Sequence, residues 1–220
     1  MGSGTETGRE VGQMTAAHED SAPGAPVAAP LRLVSPDELV SPDESAPAQG
    51  GSTAGAPVTG GPVGGDEFRR ALAVHAAGVV VVTARPGGVP VGLTATSFSS
   101  VSLEPPLVSF YVARSSTTWP SLRLADHFAV NVLASHQAEL AARFAKKNTD
   151  RFAHPTQWSE GPQDLPFLDE ASAHLVCRPH HTVEVGDHIL VVGLVTSTSV
   201  SSAGRPLIYH KGRFGRFMPY

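Results

Sequence analysis

Residues 89–106 read VPVGLTATSFSSVSLEPP. The run opens as an alternating, β-prone segment with Val91 and Leu93 on one face, then turns small and hydroxylated through Thr94, Thr96, Ser97, Ser99, Ser100 and Ser102, and stops at Pro105-Pro106. Period-two alternation predicts a strand, and the diproline excludes a helix after it. Small side chains let another group approach the backbone, Gly92 most of all. Each Ser or Thr hydroxyl can donate a hydrogen bond to an oxygen. The stretch is therefore expected to be a strand that offers a ligand donors rather than bulk.

Upstream, Val79 to Thr83 is a continuous β-branched run that reads as a buried strand, and Arg85-Pro86-Gly87-Gly88 turns the chain, so the two strands form a hairpin. Before it, EFRRALAVHAAG from Glu67 places Phe68, Leu72 and Ala76 on one helical face, with Gly78 as the expected C-cap. Downstream, Leu107 to Val112 is a third strand. A short helix is expected from about Ser116, a strand at Phe128 to Leu133, and a helix at Gln137 to Phe144 with Leu140 and Phe144 inward. Residues 145–168 read as irregular and long for a loop, which points to a functional or interface role. Strands at Ala173 to Arg178, Ile189 to Thr198 and Leu207 to Phe214 close the domain. Strands dominate without regular β-α-β alternation, so the fold class is mainly β with a few helices, a β-barrel rather than a doubly wound sheet.

The 220 residues divide sharply in composition. Residues 1–65 contain no Phe, Trp or Tyr, carry eight acidic against two basic residues, and hold 12 Gly and 8 Pro. Such a segment cannot bury enough apolar area to offset its ordering entropy, and it reads as a disordered, low-complexity acidic tail. Within it VSPDE occurs twice, at Val34 to Glu38 and Val40 to Glu44, as a duplicated patch. Residues 66–220 carry 14 Lys and Arg against 12 Asp and Glu, so the formal charge of -4 comes from the tail. A near-neutral domain argues against a nucleic-acid partner. No apolar run reaches the roughly 18 residues of a membrane span and no secretory signal pattern opens the chain, so a cytoplasmic protein without a membrane partner is expected. Cys177 stands alone among apolar neighbours and reads as a buried strand thiol.

Ten histidines invite a metal, but His180 and His181 are adjacent and would face opposite sides of a strand, and no HExxH occurs; no metal site is expected. A GxSxG elbow, a GxGxxG turn and a P-loop are all missing. What remains is a distributed anion site: Thr94, Thr96 and Ser97, then Arg114, Ser115, Ser116 and Thr117 with the donors of a helix opening near Ser116, then Lys146 and Lys147. The same residues read equally well as strand hydroxyls, caps and solvated lysines.

The runs FRRALAVHAAGVVVVTA, VGLTATSFSSVSLEPPLVSFYV, SSTTW, FAVNVL, LAARFA, GDHILVVGLV and PLIYHKGRF, spread over about residues 67–217, resemble in their order the flavin reductase family, the NAD(P)H:flavin oxidoreductase component of two-component flavin monooxygenases. That resemblance implies an FMN-binding split β-barrel, a homodimer, FMN or FAD as flavin, NADH or NADPH as co-substrate, and a partner monooxygenase. It implies that Pro90, Val91, Gly92, Leu93, Thr94, Thr96 and Ser97 lie along the flavin ring and its ribityl chain. Tyr111, Arg114, Ser115, Ser116 and Thr117 then hold the phosphate side, completed by Ala145 and Lys146. His188 becomes the catalytic candidate, and together with His210, Lys211, Gly212 and Arg213 it falls on the nicotinamide side. Two alternatives stay open from the sequence: an oxidase or oxygenase on the same barrel, and a non-enzymatic flavin- or haem-binding module.

Overall fold

The computed structural model describes residues 61–201 and 204–218, together with Met1 and the backbone of Leu33 and Val34. Apart from those three positions, the first 60 residues lie outside the described part, and so do both VSPDE copies apart from Val34. The elements in order are β1 (Leu33–Val34), α1 (Gly65–Leu72), β2 (Ala77–Gly78), β3 (Val80–Ala84), β4 (Val91–Ala95), β5 (Ser99–Leu103), β6 (Pro106–Ala113), α2 (Trp119–Leu122), β7 (Phe128–Val132), α3 (Ala138–Ala145), β8 (Trp158–Glu160), β9 (Pro166–Leu168), β10 (Ala173–Val185), β11 (His188–Val200), β12 (Leu207–His210) and β13 (Arg213–Arg216). The main sheet runs β4-β3-β7-β10-β11-β6-β5, with β1 parallel to β10, and two small sheets pair β13-β12-β2 and β8-β9. The expected fold class is the observed one.

All five residues of β3 are buried, because both faces of this strand are covered. Val80, Val82 and Ala84 point into the barrel with Leu93, Phe110, Phe128 and Val191, where Phe110 and Phe128 meet edge to face at 5.6 Å. Val79 and Val81 point outward against Leu133, Ala141, Phe144 and Leu168. A strand sandwiched this way needs no alternation, which is why its sequence is a continuous apolar run. The hairpin β3–β4 forms as expected, with Val82 opposite Leu93 and Thr83 opposite Gly92.

One buried polar group organises the outer layer. Asn131 on β7 is fully buried; its Nδ2 donates to the Val81 carbonyl at 3.0 Å and to Thr83 Oγ1 at 3.0 Å, and its Oδ1 accepts from the Leu168 N–H at 2.8 Å. Thr83 Oγ1 in turn donates to the Pro166 carbonyl at 2.6 Å. This network ties the β8–β9 hairpin to the back of the barrel, so the span expected to be irregular contains a small sheet with a defined seat.

Several local expectations are corrected. The first helix ends at Leu72 with Ala73 as C-cap, and Gly78 belongs to β2, paired with Ile208. None of its residues is buried: Phe68 and Leu72 are each 54% exposed, since no described element of the chain covers that face. Residues 207–214 are not one strand but the hairpin β12–β13, turning at Lys211 and Gly212, both at positive φ. Likewise β10 does not stop at Arg178 but continues to Val185 through a register shift between Pro179 and His181. That bulge brings His180 and His181 side by side, ring centroids 4.3 Å apart, instead of sending them to opposite faces. Among the described residues no group of three or more His, Cys, Asp or Glu could hold a metal ion, and no helix is long and apolar enough to cross a membrane.

Candidate functional site

Three elements converge on two adjoining concavities: strand β4, the loop from Ala113 to Thr118 that leads into α2, and the C-terminal end of α3. The first, about 220 Å³, is lined by Leu93, Thr94, Tyr111, Ser115–Thr118, Phe144, Ala145, Lys147 and Arg151 among others. The second, about 260 Å³, is lined by Pro90, Val91, Gly92, Thr117, Thr118, Ser121 and residues 148–152. Thr117, Thr118 and Arg151 border both. Each alone is smaller than a typical ligand pocket, while together they reach the usual range of roughly 300–1,000 Å³.

Most of the residues singled out in the sequence meet here, with roles the structure sharpens. Gly92 is small for a protein neighbour: a Cβ there would stand 2.8 Å from Phe144 Cε1 and 3.0 Å from the Val82 carbonyl oxygen. The space expected to admit a ligand seats the ring that docks α3 onto β4. Thr94 Oγ1 donates to the Ala141 carbonyl at 2.7 Å, so its proton is spent on the same helix. Ser97 Oγ accepts the Tyr111 N–H at 2.9 Å across the strands, and Ser97 lines neither concavity. Thr96 is exposed and also lies outside both linings.

The loop after β6 departs from expectation at its helix. α2 begins at Trp119, three residues after Ser116, and Ser116 Oγ already accepts the N–H groups of Thr118 at 3.2 Å and Trp119 at 3.3 Å. Those amide donors are occupied, while the Ser116 hydroxyl proton and the side chains of Ser115 and Thr117 are left to face the cleft. Arg114 does not line either concavity; its guanidinium stands 3.6 Å from Glu184 and its N–H donates to the Asp187 carbonyl at 3.0 Å. Lys147, rather than Lys146, is the lysine in the lining.

Arg151 was not singled out by its sequence. It comes from the long span after α3, whose length was the only signal. The half-buried side chain donates from Nε to the Lys146 carbonyl at 3.1 Å, and from Nη1 to the Gly92 carbonyl at 3.1 Å and Thr118 Oγ1 at 2.7 Å. Burial pulls its pKa below the usual arginine value, as expected for a cation withdrawn from water.

At the rim sits the β10–β11 turn. Val185 pairs with His188, leaving Gly186 and Asp187 as a two-residue turn with Gly186 at φ 59°. His188 stands opposite Ala113, itself in the lining of the first concavity. His188 Nδ1 lies 2.7 Å from Asp187 Oδ1, and this hydrogen bond holds the Asp187 carboxyl below its ordinary pKa. His210, Lys211, Gly212 and Arg213 occupy the β12–β13 turn and line neither concavity; the Lys211 N–H donates to the Ala73 carbonyl at 2.9 Å.

The arrangement fits a flavin. Hydroxyls of Ser115, Ser116 and Thr117 supply donors, Leu93 and Phe144 supply apolar walls, and the first concavity carries the cations Lys147 and Arg151 with no carboxylate in its lining. In the second, Asp150 turns its Oδ1 to the backbone N–H groups of Phe152 and Ala153.

Residues 72–218 match the family described as flavin reductase like domain. The chain is 43% identical over 157 residues to an NADH:FMN oxidoreductase of Rhodococcus qingshengii, covering 70% of this chain and 82% of that protein. It is 38% identical over 159 residues to the reductase component of a 4-nitrophenol 4-monooxygenase/4-nitrocatechol 2-monooxygenase of Rhodococcus opacus, covering 72% and 84%. Among solved structures, the NADH:FAD oxidoreductase of Streptomyces globisporus in complex with NAD and FAD fragments superposes with a TM-score of 0.66 at 37% identity, covering 70% of this chain and 93% of that one.

Proposed function

The chain belongs to the family of flavin reductase like domains, and we propose that the cleft between β4, the 113–118 loop and α3 is where it binds flavin as an NAD(P)H:flavin oxidoreductase. Its activity is reduction of a flavin by a nicotinamide nucleotide, with the reduced flavin supplied to a partner monooxygenase. The observation that carries the assignment of the cleft is its lining: hydroxyls, two cations, an apolar wall and no carboxylate in one concavity.

With a flavin and a nicotinamide nucleotide held in this cleft, the two nucleotides themselves would supply the hydride chemistry. The residues of the chain have the task of positioning and of stabilising negative charge, and no triad is needed. Leu93 and Phe144 wall the ring side, while Ser115, Ser116 and Thr117 donate toward the phosphate side with Lys147. His188 stands at the rim, oriented by Asp187, where it would meet the nicotinamide. His210–Arg213, which line neither concavity, belong to the nicotinamide side in this reading.

A homodimer is part of this reading. The amphipathic helix α1 leaves Phe68 and Leu72 exposed, and Leu103 at the β5–β6 turn is 85% exposed; a second copy would cover such surfaces. A cytoplasmic location completes it. FMN is the expected flavin, with FAD as the alternative, and NADH the expected donor over NADPH. The test is reduction of added FMN by NADH, without air and with no third substrate present, which an oxidase or a simple binding module would not catalyse.

A further inference from the structure

We propose that Arg151 makes this site prefer a phosphorylated flavin over an unphosphorylated one, by binding the walls of the cleft together and by leaving its own charge uncompensated at the junction of the two concavities. The inference rests on the flavin-reductase reading and concerns how that site chooses its ligand.

The guanidinium makes its four donations to three acceptors: Nε and Nη2 to the Lys146 carbonyl, and Nη1 to the Gly92 carbonyl and to Thr118 Oγ1. Those acceptors belong to the end of α3, to β4 and to the residue that caps α2. They lie 5, 59 and 33 residues from Arg151 in the chain. One planar group thus joins the three elements that form the cleft, a task suited to a fork of fixed donors and not to an ammonium.

All three acceptors are neutral. Carbonyl and hydroxyl oxygens orient a guanidinium without cancelling its charge, and no carboxylate among the described residues forms an ion pair with it. The one acidic neighbour in sequence, Asp150, is committed to backbone N–H groups. A half-buried, unpaired cation facing a cleft that also holds Lys147 and the hydroxyls of Ser115, Ser116 and Thr117 is matched by a dianion, and the flavin ring system carries one only when its ribityl chain is phosphorylated.

The test is equilibrium binding of FMN and of riboflavin, followed by quenching of flavin fluorescence, to wild type, Arg151→Met and Arg151→Lys, with thermal melts as the folding control. In Arg151→Met, FMN affinity is expected to fall about 10- to 100-fold, from the loss of a cation at a partly desolvated dianion site, while riboflavin affinity falls less, through the loosened walls alone. Arg151→Lys keeps the charge but cannot span three acceptors, so both flavins should bind more weakly while part of the FMN preference survives. Equal losses for FMN and riboflavin would reduce Arg151 to a structural strut and overturn the proposal, as would an unchanged FMN preference in Arg151→Met. Should Arg151→Met fail to fold, Arg151→Gln, neutral but polar, takes its place, and an FMN preference there equal to that of wild type overturns the proposal. Wild type binding neither flavin would instead defeat the flavin-reductase reading itself.

Discussion

Replacing Asn131 with leucine should remove much of the stability of this protein without touching the cleft directly. The side chain is fully buried and satisfies three groups: the Val81 carbonyl, Thr83 Oγ1 and the Leu168 N–H. Leucine has the same number and branching of heavy atoms and is somewhat larger, so the change leaves no cavity, and the main cost is electrostatic. The Leu168 N–H, itself on a fully buried residue, loses its acceptor; an orphaned buried donor costs about 1–3 kcal/mol. Loss of the two donations to Val81 and Thr83 adds roughly 1 kcal/mol, since Thr83 keeps its bond to the Pro166 carbonyl. Together the expected loss is about 2–4 kcal/mol, a large part of a typical domain's stability. Urea unfolding followed by tryptophan fluorescence measures it, with the midpoint falling at unchanged slope. A loss below about 0.5 kcal/mol, the usual effect of a neutral surface change, would refute the role assigned to this network.

Gly92→Ala should force Phe144 out of its seat, costing about 1–3 kcal/mol by overpacking, and should weaken flavin binding in a titration because α3 carries part of the lining. His188→Ala should lower the rate of flavin reduction by NADH while leaving flavin affinity nearly unchanged; an unchanged rate in stopped flow would remove the histidine from the nicotinamide side. Cys177, buried and with its thiol pushed up to about 12 from 9.0, should resist thiol reagents in the folded protein and react on unfolding. Because only the unfolded chain ionises this thiol above its ordinary value, stability should decline as pH rises from about 9 toward 12, measured against Cys177→Ala.

What the sequence made legible followed from local physics. β3 was readable because a strand buried on both faces must be apolar throughout, and the β3–β4 hairpin because Pro86, Gly87 and Gly88 force a turn between two β-prone runs. Phe144 was readable as inward from helical spacing. The misread parts depend on partners distant in the chain. Phe68 and Leu72 have the spacing of a buried face, yet nothing described in the same chain packs on them. Gly92 looked like room for a ligand because its real occupant, Phe144, lies 52 residues further on. Arg151 left no local trace at all, since its role exists only where β4, α2 and α3 meet. The residues 145–168 looked irregular because their order is imposed by Asn131 and Thr83 from the barrel.

Family resemblance and geometry also divide the work on the site. Ser115, Ser116 and Thr117, together with Leu93, Ala145 and Tyr111, line one concavity. Arg114 and Lys146 do not, and the cations that do are Arg151 and Lys147. A motif can report which segment approaches a ligand, but which of two neighbouring side chains turns toward it is settled by packing.

The measurement that bears most directly on the function is an anaerobic titration of the purified full chain with NADH and with NADPH, in the presence of FMN and then of FAD, following the absorbance of oxidised flavin. Stoichiometric bleaching with NADH and FMN, with no third substrate added, is the expected result. Absence of catalysed bleaching with all four pairs would contradict the assignment.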